Sequence, residues 1–273
     1  MTDPFIIMCA PNGARRSKKD HPNIPISPDE LADCAEEILA AGASILHLHV
    51  RDKKGGHSLD ADRYRAAIDA VRVRVGERLI IQVTTEAVGI YSRADQIALV
   101  KELRPEAVSL ALREICPDVS LEADTADFFV WLQRNRIFPQ IILYDQKDAE
   151  QFERMRRLGM FASEAPFVLY VLGKYGEEDL SNPHTLHKFS KVFANGTVPW
   201  AVCGFGKQEH NLSASVARLG GHVRVGFENN IWSTDNSLAA SNGELVLAAK
   251  KTALAQGKNV ASADDVRRMF ALI

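Results

Sequence analysis

Cysteine is scarce in this chain: four in 273 residues, at Cys9, Cys34, Cys116 and Cys203, with no C-x-x-C pair among them. That spacing argues against a zinc ribbon or a disulfide framework and fits a reducing, cytoplasmic setting. Long hydrophobic runs are missing as well, and none approaches the roughly 20 residues of a transmembrane helix. The opening Met1-Thr2-Asp3-Pro4 lacks the basic region of a secretory signal. Neither sign of charge dominates: 33 Lys+Arg against 35 Asp+Glu leave a formal net charge of −2. That balance gives no footprint for nucleic acid or an anionic membrane. No linker, low-complexity tract or repeat interrupts the chain, so residues 1–273 read as one domain.

What is present is an alternation of strand-like and helix-like patterns. Apolar runs at 5–10, 45–50, 79–85, 107–112, 140–144, 167–172, 200–205 and 222–228 read as strands. Helical patterns follow at 28–41, 62–75, 93–103, 125–136, 148–158, 183–193, 212–219 and 244–255, with one more at 263–272. The first helix carries its own start signal: Ser27 as cap, Pro28 at the first helical position and Glu30 closing a capping box. Gly42 stops it. Eight βα units predict an α/β fold, a single (β/α)8 TIM barrel with a short extra C-terminal helix. A doubly wound open sheet fits less well, because no G-x-G-x-x-G follows the first strand.

The chemistry starts at Ile45-Leu46-His47-Leu48-His49-Val50-Arg51-Asp52. Residues i and i+2 of a strand share a face, so both imidazoles project to one side. They are placed to grip one metal ion, or else to form a hydrogen-bonded structural pair. Parity extends the pattern to other strands. Gln82, Thr84 and Glu86 alternate with Ile81 and Val83; Ser109, Ala111 and Arg113 with Val108, Leu110 and Leu112; Arg224, Gly226 and Glu228 with Val223, Val225 and Phe227. The polar set faces the lumen, toward the C-terminal strand ends where barrel enzymes work. A third ligand at the height of the histidines comes from another even-numbered strand, and Glu228 offers it. Two histidines and a glutamate form a common catalytic zinc set; the same ligands also suit iron(II) or manganese.

At these residues the chain resembles a known family. His47-Leu48-His49-Val50-Arg51-Asp52 and the stretch Gly221 to Asn230 are similar to two signature segments of the β-keto acid cleavage enzymes. Ala10-Pro11-Asn12-Gly13-Ala14 and Pro25-Ile26-Ser27-Pro28-Asp29-Glu30 extend the resemblance over most of the chain. The resemblance implies a zinc-dependent barrel that condenses a β-keto acid with acetyl-CoA and cleaves the product to acetoacetate and a new CoA ester. It implies His47, His49 and Glu228 as Zn2+ ligands, Arg224 as the arginine that handles the substrate proton, and a homotetramer. The sequence departs from the best-known member at Asn229, where an aspartate follows the glutamate ligand. It departs again at Arg15, where a glutamate stands, and at Glu86, where many members carry glycine.

Asn229 cannot accept a proton, so Glu86 becomes the candidate acceptor, with its pKa expected to be lowered if it lies beside Arg224; binding a cationic substrate group or pairing with Arg113 is its alternative role. Thr84, Ser109 and Asn12 are candidate hydrogen-bond donors to substrate. Arg15, with Arg16, Lys18 and Lys19, forms a basic run at the barrel mouth that suits a CoA phosphate. His21 and His57 read as loop residues. Two other readings stay open. One is a metal-dependent aldolase or acyl-CoA lyase that needs no acetyl-CoA. The other is a metabolite-binding barrel with a structural metal.

Overall fold

The computed structural model describes residues 3–163, 166–174, 186 and 198–272. Eight parallel strands close a barrel: β1 (Ile7–Cys9), β2 (Ile45–Leu48), β5 (Ile80–Thr84), β6 (Ala107–Ala111), β7 (Phe138–Leu143), β8 (Phe167–Leu172), β9 (Trp200–Gly204) and β10 (His222–Val225). β1 closes the ring by pairing with both β2 and β10. A separate two-stranded hairpin, β3 (Val50–Arg51) with β4 (His57–Ser58), stands on the end of β2. Among the described residues the α-helices are α1 (Pro28–Ala41), α2 (Ala61–Val75), α3 (Arg93–Leu103), α4 (Leu112–Ile115), α5 (Glu122–Arg134), α6 (Gln146–Arg157), α7 (Glu209–Leu219), α8 (Asn242–Ala255) and α9 (Ala263–Met269). The expected (β/α)8 barrel is therefore what the chain forms. The sixth expected helix, 183–193, lies outside the described residues except for Leu186, which is buried.

Local signals account for the helix ends. Ser27 caps α1, its capping box with Glu30 is formed, and Gly42 ends the helix at φ 113°. Strand parity splits the interior into two hydrophobic layers. Ile7, Leu46, Ile81, Val83, Val108 and Val223 face outward, in one cluster with the inner faces of the helices. Ile6, Met8, Ile45, Ile80, Phe138 and Phe167 face inward, in a second cluster with α9. Phe270 seals the lower end of the barrel, its ring 4.4 Å from Phe138 and 4.9 Å from Phe167.

Three places differ from the sequence reading. The run at 45–50 divides, because β2 stops at Leu48 and Val50–Arg51 turns to pair with β4. α4 begins at Leu112, so Arg113 leaves the lumen; it pairs with Asp145 and Asp148 and stacks on Tyr144. Parity fails there because the strand has already ended. β10 likewise ends at Val225, short of Glu228. The chain then turns at Gly226, with φ 129°, and the Asn229 and Asn230 amides both donate to its carbonyl at 2.9 Å.

A Cβ at Gly226 would meet the Ala10 carbonyl oxygen at 2.5 Å, in a backbone region that L-residues avoid. Gly226→Ala is expected to cost about 1–3 kcal/mol from backbone strain alone. Thermal unfolding of variant against parent measures it, and an unchanged midpoint would contradict this account of the turn.

Candidate metal centre and active site

His47 is held from behind. Its Nδ1 lies 2.8 Å from Gln82 Oε1, and Gln82 Nε2 in turn donates to Gln140 Oε1 at 3.2 Å. An amide oxygen only accepts, so Nδ1 carries the proton and the Nε2 lone pair faces inward. There, His47 Nε2 stands 3.1 Å from His49 Nε2, and Glu228 Oε2 lies 3.5 Å and 3.2 Å from the two nitrogens. The donors of a tetrahedral site with bonds of 2.0–2.1 Å stand about 3.3 Å apart. The three atoms therefore already mark one face of such a tetrahedron, all on buried residues. The donor set fits a divalent metal.

Arg224 binds the cluster together. Its Nη2 donates to Glu228 Oε1 at 2.9 Å, to Asn229 Oδ1 at 3.3 Å and to Cys203 Sγ at 3.4 Å, and its Nη1 lies 3.3 Å from His47 Nε2. The turn at Gly226 makes this contact, since four residues of extended strand would separate the backbones by about 13 Å. Burial alone would raise the Glu228 pKa, but Arg224 and the two histidines reverse that and hold it well below the usual carboxylate range. Burial, with Arg224 adding to it, pushes His47 down to about 3, so this imidazole stays neutral and able to ligate.

A cavity of about 150 Å³ opens over the cluster, lined by His47, Arg224 and Glu228 together with Thr84, Glu86, Ser109, Tyr144, Arg15 and Lys174. A larger one, about 520 Å³, lies among Phe129, Phe138, Phe161 and Phe270. None of the described residues in its wall offers a metal-ligating side chain, so the chemistry belongs to the smaller cavity.

The structure sorts the candidate residues. Ser109 Oγ is buried at the cavity and has no hydrogen-bond partner among the described residues. Thr84 Oγ1 accepts from the Glu86 amide at 3.1 Å. Asn12 is not in the cavity wall; its amide donates to the His49 carbonyl at 3.1 Å and the Pro25 carbonyl at 3.0 Å, so it supports the ligand loop. Glu86 faces the cavity and makes no hydrogen bond or ion pair through its carboxylate among the described residues. Burial raises its pKa, and His49, Arg15 and Arg224 offset this only in part. The depressed value expected from Arg224 is not found, because burial, with the Glu228 charge adding to it, outweighs the nearby cations. The basic run also divides. Arg15 is exposed at the cavity, Arg16 is buried and donates to the Phe227 carbonyl at 2.9 Å, and Lys18 pairs with Glu30.

Three residues escaped the sequence reading. Tyr144 and Lys174 line the cavity. His57 is 7% exposed in β4 rather than in an open loop, with its ring 5.2 Å from that of His49. The Gly55-Gly56 turn ahead of it was the available signal. His21 is buried too, its ring 4.2 Å from Phe227.

Fold and site define an α/β-barrel enzyme with a candidate metal centre at the C-terminal strand ends. The chain belongs to the β-keto acid cleavage enzyme family, whose model matches residues 4–272. It is 31% identical to the 3-keto-5-aminohexanoate cleavage enzyme of Fusobacterium nucleatum, a match covering 100% of this chain and 99% of that one. It is 26% identical to the 3-oxoadipate:acetyl-CoA acetyltransferase of Cupriavidus necator, over 100% of this chain and 96% of the relative. The solved ternary complex of ObcA with C4-CoA adduct and oxalate is similar in fold, with a TM-score of 0.72 at 17% identity, covering 92% of this chain and 68% of that one.

If the cluster holds a metal, the His47→Ala/His49→Ala double variant should carry none by elemental analysis. Gln82→Leu removes the acceptor for His47 Nδ1–H and should weaken binding about 10- to 100-fold. Full occupancy in the double variant would overturn the ligand assignment.

Proposed function

We propose that this chain is a zinc-dependent enzyme that condenses a β-keto acid with acetyl-CoA and releases acetoacetate and a new CoA ester. The observation that carries the reading is the convergence of His47, His49 and Glu228 beneath a cavity at the barrel mouth, in a chain of this family. Zinc bound by this set would supply Lewis acidity to the keto acid's carbonyl and carboxylate oxygens.

The rest falls to the chain's own residues. Arg224 stays charged at any working pH and faces the cavity, where it stabilises negative charge developing on substrate oxygens. Ser109 Oγ has a donor to spare for the keto-acid carboxylate. Thr84 stands beside it in the wall. Arg15 and Lys174, both exposed at the cavity, bring positive charge to a CoA phosphate. Glu86 takes the α-proton, a task that the neutral Asn229 amide cannot perform. Its raised pKa makes it the stronger base once ionised.

The sequence of bonds then balances. The α-carbon attacks the acetyl carbonyl and expels CoA thiolate. The thiolate attacks the keto carbon, the bond between that carbon and the α-carbon breaks, and the proton returns from Glu86. Acetoacetate and the new thioester leave. The four cysteines are all free and buried, which supports a cytoplasmic setting for this chemistry.

Labelled acetyl-CoA tests the reaction. Across a panel of β-keto acids, product formation should require it and acetoacetate should carry its label. Cleavage at full rate without any CoA species would instead establish the lyase reading. The role of Glu86 is tested separately by solvent exchange of the substrate α-proton. Glu86→Gln should slow exchange by about 10² or more, the usual scale for loss of a general base. Asn229→Asp in the same background should restore part of it. Unchanged exchange with weakened substrate binding would leave Glu86 as a specificity residue only.

A further inference from the structure

We infer that His57 is a positioning residue for the metal centre: it accepts the Nδ1–H of His49, directly or across one water, and so fixes which nitrogen of that ligand faces inward. The inference rests on the ligand set proposed above.

The two histidine ligands differ in their support. His47 has Gln82 behind it at 2.8 Å. His49 Nδ1 is buried and has no hydrogen-bond partner among the described residues. A histidine that ligates through Nε2 carries its proton on Nδ1, and metal-bound histidines almost always pass that proton to an acceptor. The ring beside His49 belongs to His57, with centroids 5.2 Å apart and planes at 55°.

The tautomer of His57 follows from its other contact. Its Nε2 lies 2.9 Å from the Glu86 carbonyl oxygen, which can only accept, so Nε2 carries the proton. In the neutral ring Nδ1 then holds a lone pair, and Nδ1 too is buried without a partner among the described residues. An orphaned donor and an orphaned acceptor thus sit on neighbouring buried rings. Two imidazoles joined N–H···N have centroids about 5 Å apart, given an N···N distance near 2.9 Å. A slightly longer gap admits a bridging water.

The hairpin that carries His57 is held in place. Arg51, opposite it in the pairing of β3 with β4, donates to the carbonyls of Gly13 at 2.6 Å, Arg16 at 2.7 Å and Gly55 at 2.8 Å. Tyr91 donates to the His57 carbonyl at 3.4 Å. One ring therefore stands between a metal ligand and the backbone of Glu86, and sets the position of both.

The test compares His57→Ala with His57→Asn, whose side-chain oxygen keeps an acceptor. Zinc affinity is measured by competition with a chromophoric chelator, and the His49 Nδ1–H is followed by NMR in the zinc-loaded protein. His57→Ala should weaken zinc binding about 10- to 100-fold and speed exchange of that proton. His57→Asn should recover a substantial part of both. Thermal unfolding of the chelator-treated proteins controls for folding, and the proton signal in His57→Asn remains informative should the alanine variant fold poorly. Zinc affinity within threefold of the parent in His57→Ala would overturn the inference. Equal loss in both variants would do the same, since packing rather than an acceptor would then be what position 57 supplies. A parent protein that binds no zinc would overturn the ligand set itself along with this inference.

Discussion

The ion pair between Arg224 and Glu228 is the interaction on which the rest of the site depends. Both side chains are buried, and the guanidinium meets the carboxylate at 2.9 Å. A carboxylate alone in a barrel lumen would shed its charge by taking a proton. With Arg224 beside it, Glu228 remains an anion, the form in which a carboxylate can ligate a metal. The geometry of the pair is set by the turn at Gly226, which folds the chain back so that residues four apart touch. Removing one member of such a pair typically costs about 3–5 kcal/mol, because the other is left buried without compensation.

Much of this was legible in the residues themselves. Strand parity placed Gln82, Thr84, Ser109 and Arg224 in the lumen, because a strand's alternation survives as long as its ladder does. The cap signals of α1 were equally direct, since Ser27, Pro28 and Glu30 act over a single turn. Parity misplaced Arg113 for the same physical reason that it worked elsewhere: α4 starts at Leu112, and a helical turn carries the next side chain out of the lumen. Glu228 reached the site by a different route from the one its parity implied, through a turn rather than along a strand.

Contacts between distant segments were not legible. His57 reads locally as a residue after a glycine turn. Its burial comes from Glu86 and Tyr91, 29 and 34 positions away. Arg16 looks like one of four interchangeable cations, yet it alone donates to the carbonyl of Phe227, 211 positions later. Arg15, one residue earlier, stays at the cavity. Which member of a basic run faces solvent and which is taken up by the fold is decided by packing, and composition does not record it.

The lumen is graded from end to end. Phenylalanines and the residues of α9 fill its lower part, and polar groups gather above. Closure of the ring joins β1 to β10, and the candidate metal cluster straddles that seam: Arg224 and His47 are 177 positions apart in the chain. A ribosome releases the two histidines long before the glutamate. The nascent chain therefore carries two of the three candidate ligands for most of its synthesis, and acquires the anion only when the last strand comes home. A metal held by these three groups would be captured only as the barrel closes, and would then act as a clasp on the seam as well as a reagent.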